Sequence, residues 1–162
     1  MSNEAHDRRL YKYPGSDVLR NKLNLHDGAV LDKAERRLVA IRIRQGAPAG
    51  EFDLAHLRAI HRHLFQDLYE WAGELRRVDI AKGEHWFMPK DRLESGMADI
   101  HRRVLLQAKL TGLPDDEFAM QAGVILGDLN HLHPFREGNG RAQTQYLKQL
   151  AAQAGHPLDL RR

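Results

Sequence analysis

Five segments of the chain carry apolar residues at intervals of three or four, the spacing that places side chains on one face of an α-helix. The five stripes are Leu31, Ala34, Leu38 and Ile41; Leu57, Ile60, Leu64 and Leu68; Leu93, Met97, Ile100 and Val104; Phe118, Ala122, Ile125, Leu129 and Leu132; and Tyr146, Leu147, Leu150 and Ala154. Each stripe predicts a helix that buries one face. The pattern therefore predicts an all-α architecture.

Polar residues and glycines mark the ends of the predicted helices. In the first helix, early acids and late bases complement the helix dipole and a glycine follows as a stop: Asp32, Glu35, Arg42, Arg44 and Gly46. Asp53 can cap the second helix, which we expect to end near residues 71–73. Asp91 with Glu94 resembles a capping box at the start of the third.

One segment between the second and third stripes breaks the helical pattern. Residues 78–80 alternate between apolar and polar, residues 82–84 offer a turn, and residues 86–88 are apolar again. This order predicts a short β-hairpin. We therefore expect one helical domain, residues 1–162, that carries one small hairpin.

Composition excludes several classes of function. The 162 residues suffice for one domain with a buried core. The net charge of +3 comes from 25 basic and 22 acidic residues that are spread along the chain, so nucleic acid is not expected as a partner. No apolar run approaches the roughly 20 residues of a membrane span, and the N-terminus lacks the apolar stretch of a signal peptide. With no cysteines, the chain is expected to be cytoplasmic.

A nine-residue run between the last two stripes concentrates chemically useful groups. It reads His-Pro-Phe-Arg-Glu-Gly-Asn-Gly-Arg and spans residues 133–141. Gly138 and Gly140 flank Asn139 where the last helix is predicted to begin. Glycines allow the backbone N–H groups to converge, and a helix N-terminus adds partial positive charge, so the turn is suited to binding phosphate. Arg141 opposes the helix dipole, which a bound anion would explain.

Two ionisable residues beside this turn suggest phosphate chemistry. Glu137 would repel bound phosphates unless a cation intervenes, which points to Mg²⁺; its alternative role is a solvated partner of Arg136. His133 can accept a proton near neutral pH and is the candidate general base. Its alternative role is an ordinary contact with the carbonyls at the end of a helix. Phe135 is expected to anchor the loop in the core.

The run from His133 to Arg141 reproduces, without a departure, the signature of the Fic family of nucleotide transferases. Residues 65–76 resemble the segment that precedes the hairpin in that family, residues 78–83 with Phe87 resemble its hairpin, called the flap, and residues 11–21 resemble bacterial members. The resemblance thus covers nearly the whole chain.

The resemblance implies a reaction and a role for each matching residue. In Fic proteins the motif histidine, here His133, deprotonates a Tyr, Ser or Thr hydroxyl of a target protein, which attacks the α-phosphate of ATP and takes AMP. Glu137 would hold Mg²⁺ and Arg141 the outer phosphates. The anion hole would be Gly138, Asn139 and Gly140. The flap, through Ile80, Lys82, Gly83, Phe87 and Met88, would align the target by main-chain pairing. Gly140 favours AMP transfer, because the relative Doc has lysine there and transfers the γ-phosphate.

Two departures from the family pattern carry predictions of their own. Many Fic proteins contain an inhibitory Ser/Thr-x-x-x-Glu-Gly/Asn helix, but no serine or threonine of this chain has glutamate four residues later. We therefore expect a toxin that a small antitoxin inhibits in trans by supplying a glutamate. Family domains usually continue with a further helix, whereas this chain stops at Arg162. A truncated C-terminus is the favoured explanation and a covering partner is the alternative.

Other interpretations stay open beside protein adenylylation. The same scaffold serves phosphoryl, uridylyl or guanylyl transfer, and a catalytically silent Fic-like module would bind a nucleotide or partner without turnover. The remaining helical histidines, His56, His61 and His63, are predicted to be solvated, and their spacing does not favour a metal site.

Overall fold

The computed structural model describes residues 1–158, so the chain end at Arg162 lies outside the described residues. Within them, the helices are α1 (Asn3–Tyr11), α2 (Gly28–Gln45), α3 (Leu54–Phe65), α4 (Leu93–Leu106), α5 (Asp115–Leu132) and α6 (Asn139–Gln153). Two short strands, β1 (Ala81–Lys82) and β2 (His85–Trp86), form an antiparallel hairpin, and 3-10 turns span Lys90–Arg92 and Ala108–Leu110. The prediction of a helical domain with one small hairpin is confirmed.

The core forms where α3 packs against α2, α4 and α6, and where α5 packs against α4 and α6. The predicted stripes of α3, α4 and α5 are all buried, as are Tyr146 and Leu150 of α6. Because each fully buried large apolar side chain stabilises by roughly 1.5–3 kcal/mol, these faces fix how the helices pack. This packing places the end of α5 and the start of α6 against α3.

The buried face of α2 differs from the predicted one. Asp27 caps the helix by accepting hydrogen bonds from the N–H groups of the next turn, which starts α2 earlier than Asp32 suggested. The face that turns inward is therefore Leu31, Glu35 and Val39, whereas Ile41 is 44% exposed. Glu35 lies in the middle of the helix, so the prediction that it complements the dipole of the first turn was wrong.

Two further boundaries differ from the predictions. The cap at Asp53 is confirmed, since its side chain accepts a hydrogen bond of 2.9 Å from the backbone N–H of His56. However, α3 ends at Phe65 and the chain continues in turns, so the predicted end near residues 71–73 was too late.

The prediction of a capping box at the start of α4 was also wrong. A 3-10 turn precedes α4, and the Asp91 carboxylate contacts Lys90 instead.

The hairpin is shorter than predicted and lies over the end of α5. Lys82 pairs with His85 across a two-residue turn in which Gly83 adopts a φ of +62°. Val78 is buried in the interior rather than paired in a strand. Among residues 1–158, no helix is long and apolar enough to cross a membrane.

Candidate active site

The loop between α5 and α6 is held by its own side chains. Asn139 is buried, and its amide both accepts from the N–H of Phe135 at 2.8 Å and donates to the carbonyl of Phe135 at 2.7 Å. Phe135 is fully buried, as expected from the sequence. The Asn139 side chain is thus engaged inside the loop, and its backbone N–H is what it can offer to a ligand.

A buried histidine on α3 supports the same loop from below. The Nε2–H of His61 donates to the Glu137 carbonyl at 2.8 Å, its Nδ1 accepts from the N–H of Gly73 at 2.9 Å, and its ring stacks on Phe135. Burial lowers the pKa of His61 to about 4, so the ring is neutral. The prediction of solvated positions was wrong for His61 and also for His56, which are 0% and 3% exposed.

His133 ends α5 in a geometry that leaves one ring nitrogen available. Its backbone is left-handed, with a φ of +45°, and its Nδ1 lies 3.0 Å from the carbonyl of Asn130. Because a carbonyl only accepts, Nδ1 carries the proton and Nε2 keeps its lone pair. Burial lowers the pKa of His133, and the nearby positive charges of Arg76 and Lys82 lower it further. The imidazole is therefore neutral and able to accept a proton.

Two contacts fix the His133 ring and backbone. The Phe87 ring, from the hairpin, stacks on the imidazole at a centroid distance of 3.8 Å and an angle of 12°. The guanidinium of Arg76 donates to the His133 carbonyl at 2.7 Å. Arg76 also donates to the carbonyls of Val78, at 2.9 Å, and of Met88. Since the Arg76 side chain is completely buried, this one cation ties the hairpin to the end of α5.

The start of α6 presents free backbone donors. Within residues 1–158, no protein acceptor binds the N–H groups of Asn139, Gly140 and Arg141. At Gly138, φ is +81° and an added Cβ would lie 2.2 Å from the Phe65 ring, so only glycine fits. Nothing lies within 4 Å of a Cβ added at Gly140, so packing does not require glycine at that position.

Arg141 contacts carboxylates of the protein itself. Its Nη2 donates to Oε1 of Glu35 and lies 3.9 Å from Oε1 of Glu137, and its guanidinium lies 4.8 Å from the centre of the Phe65 ring. The sequence suggested that a bound anion compensates this cation at a helix N-terminus. In the structure, Glu35 provides compensation from α2.

Arg136 has a different partner from the one considered in the sequence. It forms a bidentate pair with Asp7 of α1, with distances of 2.6 and 3.0 Å, and Lys12 lies 3.5 Å from the same carboxylate. Although burial alone would raise the pKa of Asp7, its hydrogen bond to Arg136 holds that pKa below the ordinary value. Glu137 is thus not needed to neutralise Arg136.

The carboxylate of Glu137 is partly exposed beside the free N–H groups. Its side chain is 46% exposed, and Oε1 accepts from the N–H of Gly138 at 3.0 Å. Among residues 1–158, no cluster of three or more His, Cys, Asp or Glu side chains is arranged to hold a metal. Mg²⁺ commonly binds through one or two carboxylates, with phosphates and water completing the shell, so the single Glu137 carboxylate beside free N–H groups has the chemistry that this ion accepts.

Two cavities meet at His133. One, of about 310 Å³, is lined only by motif residues: His133, Arg136, Glu137, Gly138, Asn139, Gly140 and Arg141. The other, of about 550 Å³, lies between the hairpin and α1 and shares His133, Arg136 and Glu137 with the first. The structure therefore brings all motif residues predicted from the sequence into one place, with the histidine between a cradle of N–H donors and an open cleft.

The predicted flap residues divide into two groups. Ile80, Lys82 and Phe87 line the open cleft, and Gly83 lies at the exposed tip. Met88 instead anchors the base of the hairpin, because its N–H donates to the His131 carbonyl at 2.9 Å and its own carbonyl accepts from Arg76. Neither backbone group of Met88 is free to pair with a target strand.

Several residues around the site were missed by sequence reasoning. These are Asp7, Glu35, Tyr69 and Arg76, together with His61. Only Glu35 left a signal, because it falls between Leu31 and Val39 at intervals of four. A carboxylate on the inward face of a helix requires a buried partner.

A helical domain with free N–H groups at a helix start, a neutral histidine and an overhanging hairpin is chemically suited to the transfer of phosphate groups. The profile of the family described as Fic/DOC matches residues 51–150. The chain belongs to this family.

Relatives and a solved structure agree with that assignment. A probable protein adenylyltransferase, y4lH of Sinorhizobium fredii, is 42% identical over 91% of this chain and 77% of its own length. The protein adenylyltransferase VbhT of Bartonella schoenbuchensis is 40% identical over 92% of this chain but only 32% of its own. The crystal structure of BepC from Bartonella tribocorum with bound AMPPNP matches with a TM-score of 0.85 and 28% identity, covering 95% of this chain and 82% of that one. The prediction of a nucleotidyltransferase is confirmed.

Proposed function

We propose that this chain transfers AMP from ATP to a Tyr, Ser or Thr hydroxyl of a target protein. The observation that carries the proposal is that His133 lines both the cradle at the start of α6 and the cleft between the hairpin and α1, while the contact of its Nδ1 with the Asn130 carbonyl leaves Nε2 free. Donor and acceptor of the AMP group would approach from opposite sides of this residue. The names of the relatives, protein adenylyltransferases, support the same reaction.

The proposed step is a nucleophilic substitution at the α-phosphorus of ATP. Nε2 of His133 takes the proton of the target hydroxyl, the hydroxyl oxygen forms a bond to the α-phosphorus, and the bond from that phosphorus to the bridging oxygen breaks. Pyrophosphate leaves with the electron pair. The free N–H groups of Asn139 and Gly140 would donate to the phosphate oxygens, which carry more charge in the transition state.

Glu137 would hold the Mg²⁺ that accompanies ATP. Bound there, Mg²⁺ would neutralise charge on the phosphates during transfer. The proposal that Arg141 binds the outer phosphates is supported by its position in the wall of the cradle.

The cleft between the hairpin and α1 would hold the target segment. Asn3 of α1 makes paired hydrogen bonds with the backbone of Asp79, at 2.8 and 2.9 Å, which link α1 to the segment that precedes the hairpin. Ile80, Lys82 and Phe87 face this space, and Gly83 leaves the hairpin tip unobstructed. Main-chain pairing along such an edge reads little sequence, so several targets would be accepted.

We make three further proposals. Residues 1–162 form a single Fic domain, the protein acts in the cytoplasm, and an antitoxin inhibits it in trans by supplying a glutamate to the site. Co-purification of a small protein that suppresses AMP transfer would support the inhibition. Full activity in the presence of every neighbouring gene product would count against it.

A labelling experiment tests the reaction. The protein is incubated with Mg²⁺, bacterial lysate and ATP labelled at either the α- or the γ-phosphate, with His133→Ala as the control. Protein-bound label from the α position alone is the expected result. Label from only the γ position would identify a kinase instead, and no label would favour the silent binding module.

A further inference from the structure

We infer that Glu35, a residue outside the motif, positions Arg141 for the outer phosphates of the nucleotide, and that Tyr69 holds Glu35 in place. This inference rests on the proposed function, because it assigns a geometry to a residue of the proposed nucleotide site. Glu35 is therefore a positioning residue and not a catalytic one.

The three side chains form a continuous hydrogen-bonded series. Arg141 donates to Oε1 of Glu35, and the hydroxyl of Tyr69 donates to Oε2. Glu35 is 8% exposed and Tyr69 is 1% exposed. Burial and the adjacent Glu35 carboxylate raise the pKa of Tyr69, so its hydroxyl remains protonated and continues to donate.

Glu35 and Tyr69, the two residues behind Arg141, are both held by their surroundings. Glu35 lies in the middle of an 18-residue helix, between the inward-facing Leu31 and Val39. The Tyr69 ring stacks on Trp71 at 4.4 Å with an angle of 13°. An arginine side chain loses considerable rotational freedom when it is fixed, and a fixed partner removes that cost before the nucleotide binds.

The position of Glu35 favours support of Arg141 over obstruction of the phosphate site. Arg141 lines the cradle of about 310 Å³ that contains His133, whereas Glu35 does not. Glu35 lines an adjacent cavity of about 410 Å³, which shares Arg136 and Glu137 with the cradle but does not include Arg141. The carboxylate therefore holds the guanidinium without itself lining the cradle. A guanidinium has five N–H donors, and Glu35 uses one of them, so others remain for phosphate.

Comparison of two nucleotides isolates this role. AMPPNP carries the outer phosphates that Arg141 would bind, and AMP lacks them. Dissociation constants for both, with Mg²⁺, are measured by calorimetry for the wild-type chain and for Glu35→Gln, Tyr69→Phe, Arg141→Ala and the double variant Glu35→Gln/Arg141→Ala. Glu117→Gln is the matched control, since this exposed glutamate lies at the opposite end of α5 from the motif.

The expected result is a loss specific to AMPPNP. Glu35→Gln should weaken AMPPNP binding about tenfold, the size expected when one charge-assisted hydrogen bond is lost, and leave AMP binding unchanged. Tyr69→Phe should weaken AMPPNP by a smaller factor in the same direction. In the Arg141→Ala background, Glu35→Gln should add nothing. The control should bind both nucleotides as the wild-type chain does.

Other results separate failure of this inference from failure of the proposed function. Unchanged or tighter AMPPNP binding in Glu35→Gln, or equal weakening of both nucleotides, overturns the positioning role while the proposed function stands. If the wild-type chain binds no AMPPNP, or if Arg141→Ala binds it normally, the proposed nucleotide site is itself wrong. Melting temperatures of all variants identify any that fail to fold, and Tyr69→Phe then carries the test alone.

Discussion

Substitution of Gly140 by alanine should stabilise the fold and weaken nucleotide binding. These opposite effects would show that the glycine serves ligand binding and not packing. A Cβ at this position meets no atom within 4 Å, and φ there lies outside the left-handed region. Alanine is favoured over glycine in helices by about 0.5–1 kcal/mol. In a domain of 150–250 residues each kcal/mol corresponds to about 2–4 °C, so the melting temperature should rise by a few degrees.

The effect of Gly140→Ala on binding follows from the same open space. The proposed phosphate would approach the free N–H of residue 140, and a methyl group there would push it away from that donor. Loss of one hydrogen bond to a charged group costs about 1.5–3 kcal/mol, which corresponds to about a 10- to 100-fold weaker dissociation constant for AMPPNP.

Calorimetric titration and thermal melting measure the two effects in one sample. Gly127→Ala in α5 is the matched control, because it also lies in a helix with no atom within 4 Å of an added Cβ. It should raise stability similarly and leave AMPPNP binding unchanged. Wild-type AMPPNP binding by Gly140→Ala would refute the docking of phosphate at residue 140. A fall in its melting temperature would refute the packing argument.

Four further variants test other parts of the account. Gly138→Ala should destabilise the domain strongly, because its Cβ would lie 2.2 Å from the Phe65 ring; a wild-type melting temperature would contradict this. Arg76→Met should lower the free energy of unfolding, measured by urea titration, by about 3–5 kcal/mol, because several buried carbonyls lose a charged donor. The backbone amides of the hairpin should also exchange hydrogen faster in this variant. His133→Ala should lower kcat by about 10²–10⁴. As the pH is lowered, wild-type activity should begin to fall only below pH 6.5, because a base works while neutral and burial lowers the pKa of His133. Loss of activity on acidification that begins above pH 6.5 would contradict this. Between pH 6.5 and about 4, the His61 ring takes up a proton in the unfolded chain but not in the folded one. The free energy of unfolding should therefore fall by about 3 kcal/mol as the pH drops through that window. His61→Gln should lack this contribution to the pH dependence of stability.

The stripes of α3, α4 and α5 were predictable because each helix buries a continuous apolar face. Such a face appears in the sequence as apolar residues at intervals of three or four. Helix α1 was not predicted, since it is mostly polar and is held by individual contacts such as those of Asn3 and Asp7. The face of α2 was misassigned because a carboxylate, Glu35, occupies an inward position that hydrophobic periodicity counts as polar.

The motif residues could be predicted to lie together, because they are adjacent in the sequence. Their supports could not, because they come from elsewhere in the chain. Arg76 binds backbone carbonyls, which leave no trace in side-chain identity. His61 was wrongly predicted to be solvated, because the sequence does not distinguish a buried histidine on a helix from an exposed one. Its two partners, a carbonyl and an N–H, are also backbone groups.

According to the proposed function, a nucleoside triphosphate binds where α6 begins, with its α-phosphorus facing His133. A crystal structure of the protein with AMPPNP and Mg²⁺ tests it most directly. We expect phosphate oxygens within hydrogen-bonding distance of the N–H groups of Asn139 and Gly140. We also expect the Glu137 carboxylate to lie next to the Mg²⁺. A nucleotide bound elsewhere, or oriented with its γ-phosphate toward His133, would contradict the account.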